Sequence, residues 1–243
     1  MNVLITRPLH QAQSLKSLLE NDGHNGLLFP TLKIKKLIVD VEINNYDALI
    51  FISKNSVKYA IEQITFPQNR TFKVFAVGAA TANKLKDCGI EVDCHPQENA
   101  SSENLLSTPI VSQMENKKIL IVRGKGGRET LKLGLSAKHN YVDYLEVYER
   151  TECEVSDVHI ESIEKLLNNQ NSVLTITSIE SLLAMLNIVK KIDHNCLDKI
   201  KSMPLIVLSN RISYFAKSVG FLHTYVAYKT NNHGLVAVIN QLK

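Results

Sequence analysis

Two spacings of apolar residues alternate along the chain. Compact runs of strand length, rich in β-branched residues, lie at Val3–Thr6, Asp47–Ile52, Phe72–Val77, Ile119–Val122, Val173–Thr177 and Leu205–Leu208. Between them apolar residues recur every three or four positions. Ala12, Leu15, Leu18 and Leu19 predict a helix over 10–22, stopped by Gly23. Val57, Ala60, Ile61 and Ile64 predict a second, and the Gly78-Ala79-Ala80-Thr81 turn leads into a third that ends at Gly89. Further helices are predicted at Ser102–Ser112, around Leu131 and Leu135, at Val158–Leu167, along Leu182, Leu183, Leu186 and Val189, at Ile212–Val219 and at Gly234–Leu242. Leu28–Leu37 and Tyr141–Arg150 instead alternate apolar with polar residues, the period of a half-exposed strand. In the second of these, Leu145 and Val147 take one face, and Tyr144, Glu146 and Tyr148 the other.

Strands that alternate with helices imply parallel sheets and right-handed crossovers, here as α/β, doubly wound, flavodoxin-like domains. The order repeats once. Asn2-Val3-Leu4-Ile5-Thr6-Arg7-Pro8 aligns without a gap on Lys118-Ile119-Leu120-Ile121-Val122-Arg123-Gly124, Ala48–Ser53 resembles Val173–Ser178, and Val74–Gly78 resembles Leu205–Ser209. A duplicated unit favours two domains, and 243 residues suffice for both. The two alternating strands each follow the first unit of a repeat. They can pair as a two-stranded β-ladder linker, one carrying the chain out of a domain and the other bringing it back. On that layout 40–143 is an inserted domain, 1–35 and 152–243 form a discontinuous one, and 36–39 and 144–151 are the linker strands.

Composition narrows the function. No run approaches the roughly 20 apolar residues of a membrane span, and the N-terminus enters a strand without the marks of a signal peptide, so a cytoplasmic protein is expected. Cys88, Cys94, Cys153 and Cys196 are scattered and read as free thiols, and no histidine pair has zinc-ligand spacing, so no metal is expected. A net charge of +4 suits an anionic small molecule, but the charges do not cluster as nucleic-acid binding requires.

The glycine-rich stretch Gly124-Lys125-Gly126-Gly127 lacks the spacing of a phosphate loop, and a dinucleotide fingerprint would need glycine at Glu129. A helix-start turn that accepts an anion remains open. Ser53, Thr81 and Ser178 each follow the carboxyl end of a strand, where doubly wound sheets bind ligands. Each also reads as an ordinary helix N-cap. Aimed into one cavity, they would form a comb of donors for carboxylates. Tyr148 reads either as a packing aromatic or as a weak acid, since a free phenol keeps its proton at neutral pH. No Ser-His-Asp, Cys-His or paired-carboxylate set stands out.

The ordered set VLITRP, ALIFISKNSV, VFAVGAATA, LIVRGKGGRE, LEVYER, TITSIES and LIVLSNR, spanning almost the whole chain, resembles the uroporphyrinogen-III synthase family. The resemblance implies two α/β domains on a two-stranded linker and a cofactor-independent lyase of haem biosynthesis. Its substrate would be hydroxymethylbilane, a linear tetrapyrrole with eight carboxylates. That substrate would lose its terminal hydroxyl as water, invert ring D through a spiro intermediate and close into a macrocycle. The family's sensitive tyrosine matches Tyr148, its hydroxyl residues match Ser53, Thr81 and Ser178, and Asn55, Arg123, Ser209 and Arg211 complete the expected substrate contacts. Where many members carry Gly-x-Thr-Thr, this chain has Ser209-Asn210-Arg211-Ile212, which removes two hydroxyls and adds a cation. No cofactor, nucleic-acid or membrane partner is expected, and the protein is expected to be a monomer. The rival reading is a non-catalytic two-domain binding or regulatory protein for an anionic small molecule, since fold does not fix function.

Overall fold

The computed structural model describes residues 1–242. In chain order the elements are β1 (Asn2–Ile5), α1 (Leu9–Asn21), β2 (Asn25–Leu28), β3 (Leu32–Lys36), β4 (Ala48–Phe51), α2 (Lys54–Ile61), β5 (Lys73–Ala76), α3 (Ala79–Asp87), α4 (Ser102–Leu106) and α5 (Pro109–Ser112). There follow β6 (Lys118–Gly124), α6 (Thr130–Ser136), β7 (Tyr141–Glu152), α7 (Asp157–Leu167), β8 (Ser172–Ile176), α8 (Ile179–Ile192), α9 (Leu197–Ser202), β9 (Leu205–Val207), α10 (Asn210–Ser218), β10 (Thr224–Val226) and α11 (Asn232–Gln241). The chain divides into two compact units, 1–33 with 151–243 and 34–150.

The first unit holds a five-stranded sheet in the order β10-β9-β8-β1-β2, with every neighbouring pair parallel. Its core follows from period-2 geometry. Along β1, Leu4 packs into one apolar cluster with Leu174, Met185 and Val207, while Val3 and Ile5 enter the opposite one with Leu15, Val173 and Ile206. Both sheet faces are therefore covered by helices, and the central strands β1, β8 and β9 are mostly apolar.

The second unit carries the order β3-β7-β6-β4-β5, in which the pairs β7–β6, β6–β4 and β4–β5 are parallel. Leu49 and Phe51 of β4 face α2 and α3, and Ala48 and Ile50 face the cluster built on Leu105, Leu131 and Leu135. Fully burying side chains of this size is worth about 1.5–3 kcal/mol each.

Four expectations are corrected. The predicted strand Leu28–Leu37 is two strands, broken at Phe29-Pro30-Thr31: β2 pairs with β1, and β3 joins the other sheet. Pro30 has no N–H to donate. The chain turns there while Thr31 donates through both its N–H and its hydroxyl to the Thr6 carbonyl. Second, Ser102–Ser112 is two short helices, the second opening on Pro109, which is suited to a first helical position. Third, β10 was not foreseen, because Thr224-Tyr225-Val226 is too short to show a period.

The fourth correction concerns β7. Its register against β6 shifts between Arg123 and Gly124: Glu146 lies opposite Arg123, but Tyr148 lies opposite Gly124, leaving Val147 as an extra residue. Alternation therefore breaks. Leu145, Val147 and Tyr148 all pack in the same cluster, while Tyr144 packs against the opposite one.

Candidate active site

In the second unit the carboxyl ends of β4 and β6 and the middle of β7 converge on one phenol. Ser53, extended at φ −162°, caps α2. Its Oγ accepts from the Ser56 N–H at 3.0 Å, while the Ser53 N–H donates to Ser56 Oγ at 3.1 Å, a reciprocal capping box. The same Ser53 Oγ lies 3.3 Å from Tyr148 Oη. The Tyr148 ring is 4% exposed. Tyr59 of α2 packs against it at 5.8 Å between centroids, and the hydroxyl end of the ring comes close to Gly124, where a Cβ would stand 2.5 Å from ring atoms. Gly124 is thus required by close approach. The phenol is fixed at its ring and at its oxygen.

The turn after Gly124 is held by Arg123, which is 3% exposed. Its Nη2 donates to the Gly126 carbonyl, Nε to the Gly124 carbonyl at 3.1 Å and Nη1 to Glu129 at 3.3 Å. The guanidinium also lies 4.3 Å over the Tyr144 ring. Gly126 and Gly127 take φ of 74° and 113°, the left-handed region where glycine carries no Cβ penalty. The structure thus places Arg123 as the clamp of the turn. Tyr144 donates to Glu129 at 2.7 Å; burial and then this bond push the Tyr144 phenol up to about 12, and the bond from Tyr144 leads the causes that hold Glu129 below its usual range.

Of the remaining residues expected from sequence, Thr81 is buried in the first turn of α3, with no partner for its hydroxyl among the described residues. Asn55 is half-buried in the first turn of α2. In the first unit, Ser178 caps α8 by accepting from the Ser181 N–H at 3.0 Å. Ser209 sits at the N-cap of α10 with no side-chain cap bond, and Arg211 is exposed one residue into that helix. Ser53 and Tyr148 are brought into hydrogen-bond reach of each other, and Arg123 is turned inward.

Sequence reasoning missed a buried hydroxyl set at the carboxyl ends of β1 and β8. Ser181 Oγ lies 2.7 Å from Thr31 Oγ1 and 3.2 Å from Thr6 Oγ1, and Thr6 donates to the Thr175 carbonyl at 2.7 Å. It also missed Arg7, although the repeat aligns Arg7 with Arg123. Cys88, Cys94, Cys153 and Cys196 are free thiols. Among the described residues no His, Cys, Asp and Glu group could hold a metal, and no helix is long and apolar enough to cross a membrane.

Known proteins resemble this arrangement along its whole length. A structure of uroporphyrinogen-III synthetase from Helicobacter pylori 26695 superimposes with a TM-score of 0.67 at 17% identity, covering 100% of this chain and 99% of that one, which supports the fold. Uroporphyrinogen-III synthase of Proteus mirabilis is 32% identical over 160 residues, 62% of this chain and 80% of that protein. The Escherichia coli K12 enzyme of the same name is 27% identical over 98% of this chain and 100% of its own length. The family model described as uroporphyrinogen-III synthase HemD matches residues 13–237. With the match running from α1 into α11 through both units, the chain belongs to the uroporphyrinogen-III synthase family.

Proposed function

We propose that this chain is a uroporphyrinogen-III synthase, a lyase of haem biosynthesis that converts hydroxymethylbilane to uroporphyrinogen III. The observation that carries the chemical assignment is Tyr148, its ring buried and its Oη 3.3 Å from Ser53 Oγ at the carboxyl end of β4. The C–O bond of the terminal hydroxymethyl group breaks with its electron pair on oxygen. Tyr148 supplies the proton, and water leaves. The cation left on carbon is delocalised by the pyrrole nitrogen. Ser53, itself held by the Ser56 N–H, donates to the phenolate oxygen while it lacks its proton. Ring D inverts, the macrocycle closes, and the proton released from the attacking pyrrole carbon restores the phenol. The step calls on no strong nucleophile and no redox partner.

Positioned proton donation is typically worth about 10²–10⁴-fold. The larger task is conformational, because the bilane closes unaided to the isomer without inversion, so the protein must hold a flexible polyanion in a strained fold. Thr81, Asn55, Ser178, Ser209 and Arg211 are assigned to substrate carboxylates as hydroxyl, amide and guanidinium donors. A substrate with so many carboxylates is confined to water, which suits a cytoplasmic enzyme acting as a monomer.

The test is incubation of purified protein with enzymatically generated hydroxymethylbilane, followed by isomer analysis. Type III product is expected. A product mixture identical to the protein-free control would support a non-catalytic binding protein instead. Tyr148→Phe removes one oxygen and should shift the product toward type I.

A further inference from the structure

The turn over 124–127 meets β7 at three points. Gly124 stands against the hydroxyl end of the Tyr148 ring, where a Cβ would come within 2.5 Å. The Lys125 N–H donates to the Tyr148 carbonyl at 2.7 Å, and the Gly126 N–H donates to Glu146 Oε1 at 3.2 Å. The seat of the phenol is therefore as well defined as this turn. Three of the four residues in the turn are glycine, the residue with the most backbone freedom to lose.

Arg123 supplies the order that the glycines lack. Nε donates to the Gly124 carbonyl at 3.1 Å and Nη2 to the Gly126 carbonyl, so the guanidinium grips the backbone on either side of Lys125. Nη1 donates to Glu129 at 3.3 Å, and the guanidinium lies 4.3 Å over the Tyr144 ring. All three nitrogens are engaged and the side chain is 3% exposed, which leaves little of it for a ligand. Arg7, at the equivalent place in the repeat, instead reaches across to Asn232 Oδ1 at 2.7 Å. The clamp belongs to the half of the duplication that carries the tyrosine.

We infer that Arg123 is a positioning residue for the reaction, holding the 124–127 turn so that Gly124 and the Lys125 N–H seat the Tyr148 phenol, and is not the substrate contact that the family resemblance implies. The inference rests on Tyr148 acting as the acid. It also separates two kinds of loss. A misplacement of about 1 Å in a reacting group can cost about 10²-fold in rate, whereas a lost substrate contact raises KM and leaves kcat unchanged.

The test is Arg123→Lys, which keeps the positive charge but not the planar fork that holds two carbonyls at once. With enzymatically generated hydroxymethylbilane, kcat for the type III isomer should fall by about 10²-fold at unchanged KM, and type I product should rise. Because a buried lysine risks misfolding, Gly127→Ala is the second variant. It keeps Arg123, strains a φ of 113° and brings a methyl carbon 3.0 Å from Nη2, so it should reproduce the same loss in kcat. A third readout needs no turnover: fluorine NMR of the whole chain labelled with 3-fluorotyrosine, with Tyr148 assigned by its disappearance in Tyr148→Phe. The Tyr148 resonance should move in both variants. An unmoved Tyr148 resonance, or a raised KM at unchanged kcat and isomer ratio, would overturn the inference. A moved resonance with wild-type turnover in both variants and in Tyr148→Phe would overturn the reading of Tyr148 as the acid, while upholding Arg123 as the residue that seats it.

Discussion

Tyr148 approaches Gly124 so closely at the hydroxyl end of its ring that a single added methyl carbon at position 124 would stand 2.5 Å from it. Real Cβ contacts do not come that close, so the backbone of β6 and the ring of Tyr148 define each other's position. Gly124→Ala should therefore displace the phenol without touching its chemistry. We expect a folded protein with a lower melting temperature, and a product shifted toward type I as in Tyr148→Phe. A wild-type isomer ratio in Gly124→Ala would show that the ring's position is immaterial.

Ser53 serves the helix and the phenol with one oxygen. Loss of an N-cap of this kind typically costs about 1 kcal/mol, so Ser53→Ala should unfold at lower denaturant. Its effect on turnover is expected to be non-additive with Tyr148→Phe, since each removes the same hydrogen bond. A double-mutant cycle on type III formation checks this, and strict additivity would separate the two residues.

Tyr144 gives a pH signature of the turn. Its pKa is raised to about 12 by burial and by the bond to Glu129, against about 10 for a free tyrosine. A raised folded value means stability fully present below about pH 10 and lost as pH climbs toward 12. One phenolate transition should therefore appear late in an ultraviolet titration and vanish in Tyr144→Phe. The isomer ratio of that variant should stay close to wild type, because Tyr144 packs on the face opposite Tyr148.

Asp93 offers the opposite sign. Burial alone would raise its carboxyl, but the Val74 N–H and the Arg70 and Lys73 side chains outweigh burial and hold it low. Its contribution is present above the ordinary aspartate range and lost as pH falls below it. Asp93→Asn should cost about 2–3 kcal/mol at neutral pH and flatten the acid side of the stability curve. Urea melts across pH would show both effects.

The alternation of buried strands with amphipathic helices was legible, because fully apolar runs such as Val173–Thr177 and helix-spaced runs such as Ala12–Leu19 carry unmistakable periods. What escaped was set by long-range pairing. Nothing in Asn25-Gly26-Leu27-Leu28 advertises a strand, since its partner β1 supplies the register. The inward turn of Arg123 depends on where the Gly126 carbonyl points, which only the left-handed glycines fix. The hydroxyl set of Thr6, Thr31 and Ser181 joins residues far apart in sequence, each looking like a routine helix or turn residue on its own.

The extra residue at Val147 acts on β7 as a frameshift acts on a message. Every side chain upstream is read in one phase and every side chain downstream in the other, so the same polypeptide presents Tyr144 to one layer of the domain and Tyr148 to the opposite layer. The identity of the tyrosine is written in a letter, but its address is written in the count of residues before it. Shortening the strand by one residue would leave the tyrosine in the sequence and remove it from the site.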